Sequence, residues 1–283
     1  MLNMIKMELY RMFRSKSLYV IWAVMAVAII FNTAMSKEQY DLVQEQADSY
    51  EEFVENVDET EGKINIGMSV YIPMQPGESI TVFDVLFAGL QPKFIALFLV
   101  IFAVIFSSAD SNSGYIKNIG GQVKNREKLI GSKAIALIIF TIVSMAIAVG
   151  IQIIANSLFF GYLELGNLSD LAKYLLVQTV LHTALVLIGM ALSIVLKSNL
   201  VSMIIVVCLC MNLSMVIYAG INTWLQNIGI KDINIIDYTV TGKISMLPMV
   251  PANQDCVSAI MVAVVFGVVV TALTGVVFKR RDI

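Results

Sequence analysis

"FIALFLVIFAVIFSSADSNSGYIKNIGGQVKNREKLIGSKAIALIIF", residues 94–140, places a polar, basic stretch between two long apolar runs. Five lysines and arginines, two adjacent glycines and a single glutamate fall between Ser111 and Lys133. Neither flanking run alternates apolar with polar residues, so the pattern is that of buried helices and not of strands lining a barrel. The whole fold follows from that choice, because the same kind of run recurs along the chain.

The 283 residues are 58% hydrophobic and 14% charged, with a mean hydropathy of +0.81. A soluble domain has about 45–50% and about 25% respectively, so water is not this chain's main solvent. Six runs approach the roughly 20 residues needed to cross hydrocarbon: Leu18 to Ala34, Phe94 to Ser108, Ala134 to Phe160, Leu171 to Leu196, Leu200 to Tyr218, and Val257 to Phe278. The second is short unless it begins near Phe83, ahead of Pro92. Backbone groups in lipid must bond within their own segment, which gives an all-α integral membrane protein of six transmembrane helices. The first run is read as a span, because Asn32, Thr33 and Ala34 lack the small-x-small pattern of signal cleavage.

Cations fix the expected orientation, since Lys and Arg near span ends are retained in the cytoplasm. With the N-terminus inside, Lys6, Arg11, Arg14, Lys16, Lys117, Lys124, Arg126, Lys128, Lys133, Lys197, Lys279, Arg280 and Arg281 all fall on the inner side, 13 of the 19. Lys37, Lys63, Lys93, Lys173, Lys231 and Lys243 fall outside, and of 21 acidic residues only Glu8, Asp110, Glu127 and Asp282 lie inside. The formal net charge of -2 therefore conceals a polarised molecule and by itself says nothing about nucleic acid, and no nucleic-acid partner is expected. Both termini are expected in the cytoplasm.

Residues 1–16 place Leu2, Ile5, Leu9, Met12 and Phe13 on one helical face and Asn3, Arg11 and Arg14 on the other. This is an amphipathic helix suited to lie in the headgroup layer. Residues 35–93 form the expected outer loop. Its first part carries ten Asp and Glu between Glu38 and Glu61. Tyr40, Val43, Ala47, Tyr50, Val54 and Val57 make an apolar stripe on that acidic segment, which reads as a solvated helix packed on the protein or on a second copy. Residues 62–93, with Pro73, Pro76, Gly77 and Pro92, read as turns and extended pieces. Residues 219–256 are too polar to span and suit short interfacial or re-entrant helices at the outer mouth.

Within 109–133, Ser111 to Ile119 can form a short helix, Gly120-Gly121 can end it, and Asn125 can cap the helix that follows. No G-x-x-x-x-G-K-[ST] phosphate loop and no H-E-x-x-H occur, and the single histidine, His182, has no poised serine or cysteine pair nearby in sequence. With Gln178 and Thr179 one turn away, His182 reads first as an interhelical hydrogen-bonding residue and second as the centre of a membrane enzyme. Cys208, Cys210 and Cys256 imply neither a disulfide nor a metal framework.

This layout, together with "FSSADSNSGYIKNIGGQVKNREKLIGSKAI", resembles the type-two ATP-binding-cassette exporter permeases of bacteria, a family that includes antimicrobial-peptide and peptide-toxin export subunits. Asp110 stands where that family often has Glu, Gly114 at the following glycine, and Gly131-Ser132-Lys133 at the return into the next span. The resemblance implies that Asp110, Ser111, Gly114, Tyr115, Ile116, Lys117, Asn118, Ile119 and Arg126 belong to a cytoplasmic coupling helix and its flanks, docked on a separate ATPase. It further implies two such ATPase subunits that bind ATP and Mg, no cofactor or catalysis on this chain, a second permease copy and residence in the bacterial plasma membrane. The second and fifth spans would contribute to the export path. Phe94, Phe98, Phe102 and Phe106 recur every four residues on the second, and Met211, Asn212 and Met215 offer adaptable surface on the fifth. An amphipathic peptide is the expected cargo; lipophilic drugs or lipid-linked glycans are the alternatives, and a sensor or scaffold is a different class.

Overall fold

The computed structural model describes residues 1–45, 78–112, 127–230 and 233–280, and among these the regular structure is helical throughout. In chain order the helices are α1 (Leu2–Arg14), α2 (Lys16–Glu45), α3 (Val82–Leu90), α4 (Phe94–Asn112), α5 (Glu127–Phe160), α6 (Leu168–Leu196), α7 (Asn199–Cys210), α8 (Leu213–Asn227), α9 (Val240–Met246) and α10 (Asn253–Lys279). A single 3-10 turn, Ile235–Tyr238, precedes α9. Among the described residues four helices, α2, α5, α6 and α10, are long and apolar enough to cross a membrane, and the number rises to six if each of two bent pairs counts as one span. The chain is a multi-pass membrane protein.

The bent pairs are α3 with α4, inclined by 51°, and α7 with α8, inclined by 69°. Proline explains the first: Pro92 has no N–H to continue α3 and its ring crowds the preceding turn. Lys93 then takes a left-handed conformation, φ 67°, its N–H closing on the Leu90 carbonyl and its own carbonyl opening α4 to the Leu97 N–H, both at 3.0 Å. The second break has neither proline nor glycine. Asn212 carries it at φ 59°, a geometry that Asn tolerates better than other residues with a side chain.

α3 corrects the reading of residues 62–93 as turns and extended pieces, over the part that is described. Thr81 accepts the Asp84 N–H, and the Asp84 carboxylate accepts the Thr81 N–H at 2.7 Å, a reciprocal cap that starts a helix. Seven of its nine residues are buried. The acidic helix read from Tyr40 onward begins as the last turn of α2, where Tyr40 lies edge-on to Phe160; its remainder lies outside the described residues.

α6 is the central post. In its most apolar window 61% of residues are buried, against 22% in α2 and in α10, and it touches α4, α5, α7, α9 and α10. The row Ala259, Ala263, Gly267 and Gly275 on α10 is buried, and a Cβ added to Gly267 would stand 3.4 Å from Leu187 on α6. Small residues permit that close approach. Away from α6, exposed Val20, Val24 and Val27 on α2 and Val264, Val265 and Val268 on α10 present apolar surface outward, the arrangement that a hydrocarbon solvent requires. Polar bonds tie α2 to α5: Trp22 donates to Ser144 Oγ at 2.8 Å, and Gln152 to Thr33 Oγ1 at 2.9 Å.

α9 is only seven residues long, yet Val240, Thr241, Gly242 and Ile244 are buried, so this helix is tucked into the bundle. Gly242 makes the fit possible, because a Cβ there would stand 2.1 Å from the Ile236 carbonyl oxygen. Gly242→Ala should therefore lower the thermal midpoint in detergent, at a cost of roughly 1–3 kcal/mol for the forced displacement. Gly150→Ala, with nothing within 4 Å of the new methyl, should be neutral or raise it by up to about 1 kcal/mol through helix propensity.

Candidate functional site

Lys93 is fully buried at the α3–α4 break. Its ammonium donates to Asn212 Oδ1 at the α7–α8 break, to Ser245 Oγ on α9 at 2.6 Å, and more weakly to the Thr241 carbonyl at 3.4 Å. Three N–H donors thus meet three neutral oxygens from two other segments. Among the described residues no carboxylate forms an ion pair with it; the carboxylate pairs belong to Arg11, Lys37, Lys133 and Lys279. Asn212 is the residue that would cap α8, but its side chain makes no cap bond and serves the ammonium instead. Tyr218 joins the same layer through Thr241 Oγ1 at 2.7 Å.

α4 and α6 run parallel with a fixed register. Ser193 donates to the Val104 carbonyl at 3.2 Å across an offset of 89 residues. A Cβ on Gly189 would stand 2.6 Å from Val100, at the same offset. Two helical turns further along both helices, that offset sets His182 level with Lys93. The His182 ring does not bridge to another helix through Nδ1; that atom bonds to the Gln178 carbonyl of its own helix at 2.8 Å. A carbonyl only accepts, so Nδ1 carries the hydrogen and Nε2 presents a lone pair. Gln178 makes the contact between elements, donating to the Ile244 carbonyl of α9 at 3.2 Å and to Tyr174 Oη at 3.0 Å. Among the described residues, Nε2 of His182 and Oε1 of Gln178 are both buried without a hydrogen-bond partner.

A second polar cluster sits at the other end of α4. Glu8 of α1, 1% exposed, accepts from Arg11 at 3.1 Å and from Lys133 of α5 at 3.4 Å. The Lys133 ammonium lies 4.4 Å from the Phe106 ring centre, and Phe106 stacks on Phe102, which meets Phe140 of α5 at 4.3 Å. Phe102 and Phe106 are thus engaged between α4, α5 and two cations, whereas Phe94 and Phe98 pair edge to face at 5.5 Å and remain partly exposed. Met211 is half-buried beside Asn212, and Met215 is buried one turn on. Of the expected coupling residues, Asp110 and Ser111 continue the α4 backbone. Gly114, Tyr115, Ile116, Lys117, Asn118, Ile119 and Arg126 lie outside the described residues. Among those described, no group of three His, Cys, Asp or Glu assembles a metal site.

Sequence reasoning counted Lys93 as one of six outer-loop lysines and so missed the centre of this layer. The signal was present: a lysine next to a proline, with apolar residues from Val82 to Leu90 on one side and from Phe94 to Phe106 on the other. Such a charge inside a span is a site unless shown otherwise.

Glu8 is the counter-charge for a nearly buried lysine, so Glu8→Gln should destabilise the chain by about 3 kcal/mol. In the double variant Glu8→Gln with Lys133→Met, much of that loss should return. Thermal unfolding of both variants measures the difference, and equal losses would show that the pair contributes nothing as a pair.

No curated protein matches the chain. A family profile described as a protein of unknown function, DUF2705, matches residues 60–283. With most of its length covered by that profile, the chain belongs to the DUF2705 family.

Proposed function

We propose that this chain is the membrane subunit of an exporter driven by separate ATPase subunits. In this reading each bent pair is one span, giving six, and the chain pairs with a second copy of itself and with two ATPases that bind ATP and Mg. It resides in the bacterial plasma membrane with both termini in the cytoplasm, in agreement with the distribution of its cations. The cargo is an amphipathic peptide moving outward.

The observation that carries a transport reading is the convergence of two broken helices on a buried ammonium whose partners among the described residues are all neutral. Broken spans place backbone ends and polar side chains at depth in a bundle, where a solute must be met, and a scaffold has no need of them. The sequence resemblance across residues 94–140 supports the ATPase-driven form. The α1–α5 clasp of Glu8 and Lys133 adds a mechanical reason: Lys133 follows directly on the expected coupling segment, so force entering there reaches both α5 and the interfacial helix. ATP-driven closure of the partners would rock the bundle between inward-open and outward-open states. The enzyme reading has less behind it, since Nε2 of His182 has no hydroxyl or thiol bonded to it among the described residues.

The test is replacement of residues 115–119 by a Gly-Ser linker. The variant should insert and fold normally, and ATPase activity should persist while export falls at least tenfold. Export at the normal rate, or failure of any ATPase subunit to co-purify with the native chain, would overturn the reading.

A further inference from the structure

The Lys93 layer is unbalanced in two independent ways. It holds a buried positive charge with no carboxylate among the described residues, although the other buried lysine, Lys133, is paired with Glu8. It also holds two acceptors without donors among the described residues, His182 Nε2 and Gln178 Oε1. The N-terminal ends of α4, 19 residues, and of α8, 15 residues, add partial positive charge at the same level, because Lys93 and Asn212 are the residues that open them. A ligand that satisfies both deficits must bring a negative oxygen and, close beside it, a hydrogen-bond donor.

The free C-terminal residue of a peptide is that combination. Its carboxylate supplies the negative oxygen, and its own amide N–H lies one residue's length away. We propose that Lys93, with Asn212, Ser245, His182 and Gln178, forms a binding site for the free C-terminus of the transported peptide. This rests on the transport reading above and names the part of the cargo that the site recognises. In the state described here the ammonium is held by Asn212, Ser245 and the Thr241 carbonyl, which stand in for the ligand. On arrival, the carboxylate displaces Asn212 and Ser245 from Lys93, and the terminal N–H donates to His182 Nε2 or Gln178 Oε1. Release of Ser245 leaves α9 tied to Lys93 only through the weaker Thr241 carbonyl bond, so occupancy of the site loosens this short helix.

The experiment is equilibrium binding to the purified full chain in zwitterionic nanodiscs, with N-acetyl-leucyl-phenylalanyl-leucine as free acid, the same tripeptide as its C-terminal amide, and lysophosphatidate as probes. The free acid should bind at least tenfold more tightly than the amide and than lysophosphatidate. Lys93→Met should abolish that preference, and Lys197→Met, an exposed lysine, should leave it unchanged. Asn212→Asp is the decisive variant, because it gives the ammonium a built-in carboxylate of nearly the same shape. It should raise the thermal midpoint and reduce free-acid binding at least tenfold, whereas a purely structural lysine would gain stability with no effect on binding. If Lys93→Met is not recovered as a folded protein, the wild-type and Asn212→Asp comparisons decide alone. Equal binding of acid and amide, no binding of either, or full retention of the preference in Asn212→Asp overturns the proposal. Binding of lysophosphatidate as tight as that of the acid overturns it in favour of a lipid phosphate. Loss of ATPase co-purification with the acid preference intact removes the exporter reading and leaves this site standing; the converse result removes this site alone.

Discussion

An ammonium in a dry interior needs three acceptors, and Lys93 finds them on two stretches of chain far from its own in sequence. None of the three can be withdrawn without leaving a charge unsolvated, a far larger loss than an ordinary unmade hydrogen bond. That requirement holds the α3–α4 break against the α7–α8 break and draws α9 in from the side. The two left-handed residues, Lys93 and Asn212, owe their strained backbones to the same contact: each turns its helix so that ammonium and amide oxygen meet.

Around this point the bundle is arranged by simpler forces. α6 is enclosed because it is apolar on nearly every side, with Tyr174, Leu181, Leu185 and Met190 buried along its length. α10 approaches it along a row of small residues, and α4 runs beside it in a register fixed by Gly189 and Ser193. At the far end of α4 the charge problem is solved differently, by a carboxylate. Glu8 neutralises Lys133, and the Phe106 ring faces the ammonium, joining α1 to the start of α5. One buried lysine is thus held in a closed ion pair, and the other has no carboxylate partner among the described residues.

Much of the architecture was legible because lipid imposes a single rule, that each apolar run satisfy its own backbone. The runs at 134–160, 171–196 and 257–278 correspond to α5, α6 and α10, and the face of Leu2, Ile5, Leu9 and Met12 to α1. Asn212 was singled out as a polar residue in the fifth run, whereas Pro92 was read only among the turns of residues 62–93. What pattern could not give was α3, whose composition suits a loop turn or a core helix equally well until Thr81 and Asp84 are seen to cap it. Nor could it give the break at Met211–Asn212, since Asn is as common on a helix face as in a left-handed turn.

By itself the sequence determined that this is a helical, multi-pass membrane protein with a strong charge asymmetry along the chain, because hydropathy and the sign of side chains are local properties. Only the tertiary structure decided that Lys93 is central and not peripheral. Depth and partnership depend on which breaks face each other, and that is set by the packing of α4 on α6 and by contacts spanning more than a hundred residues of chain.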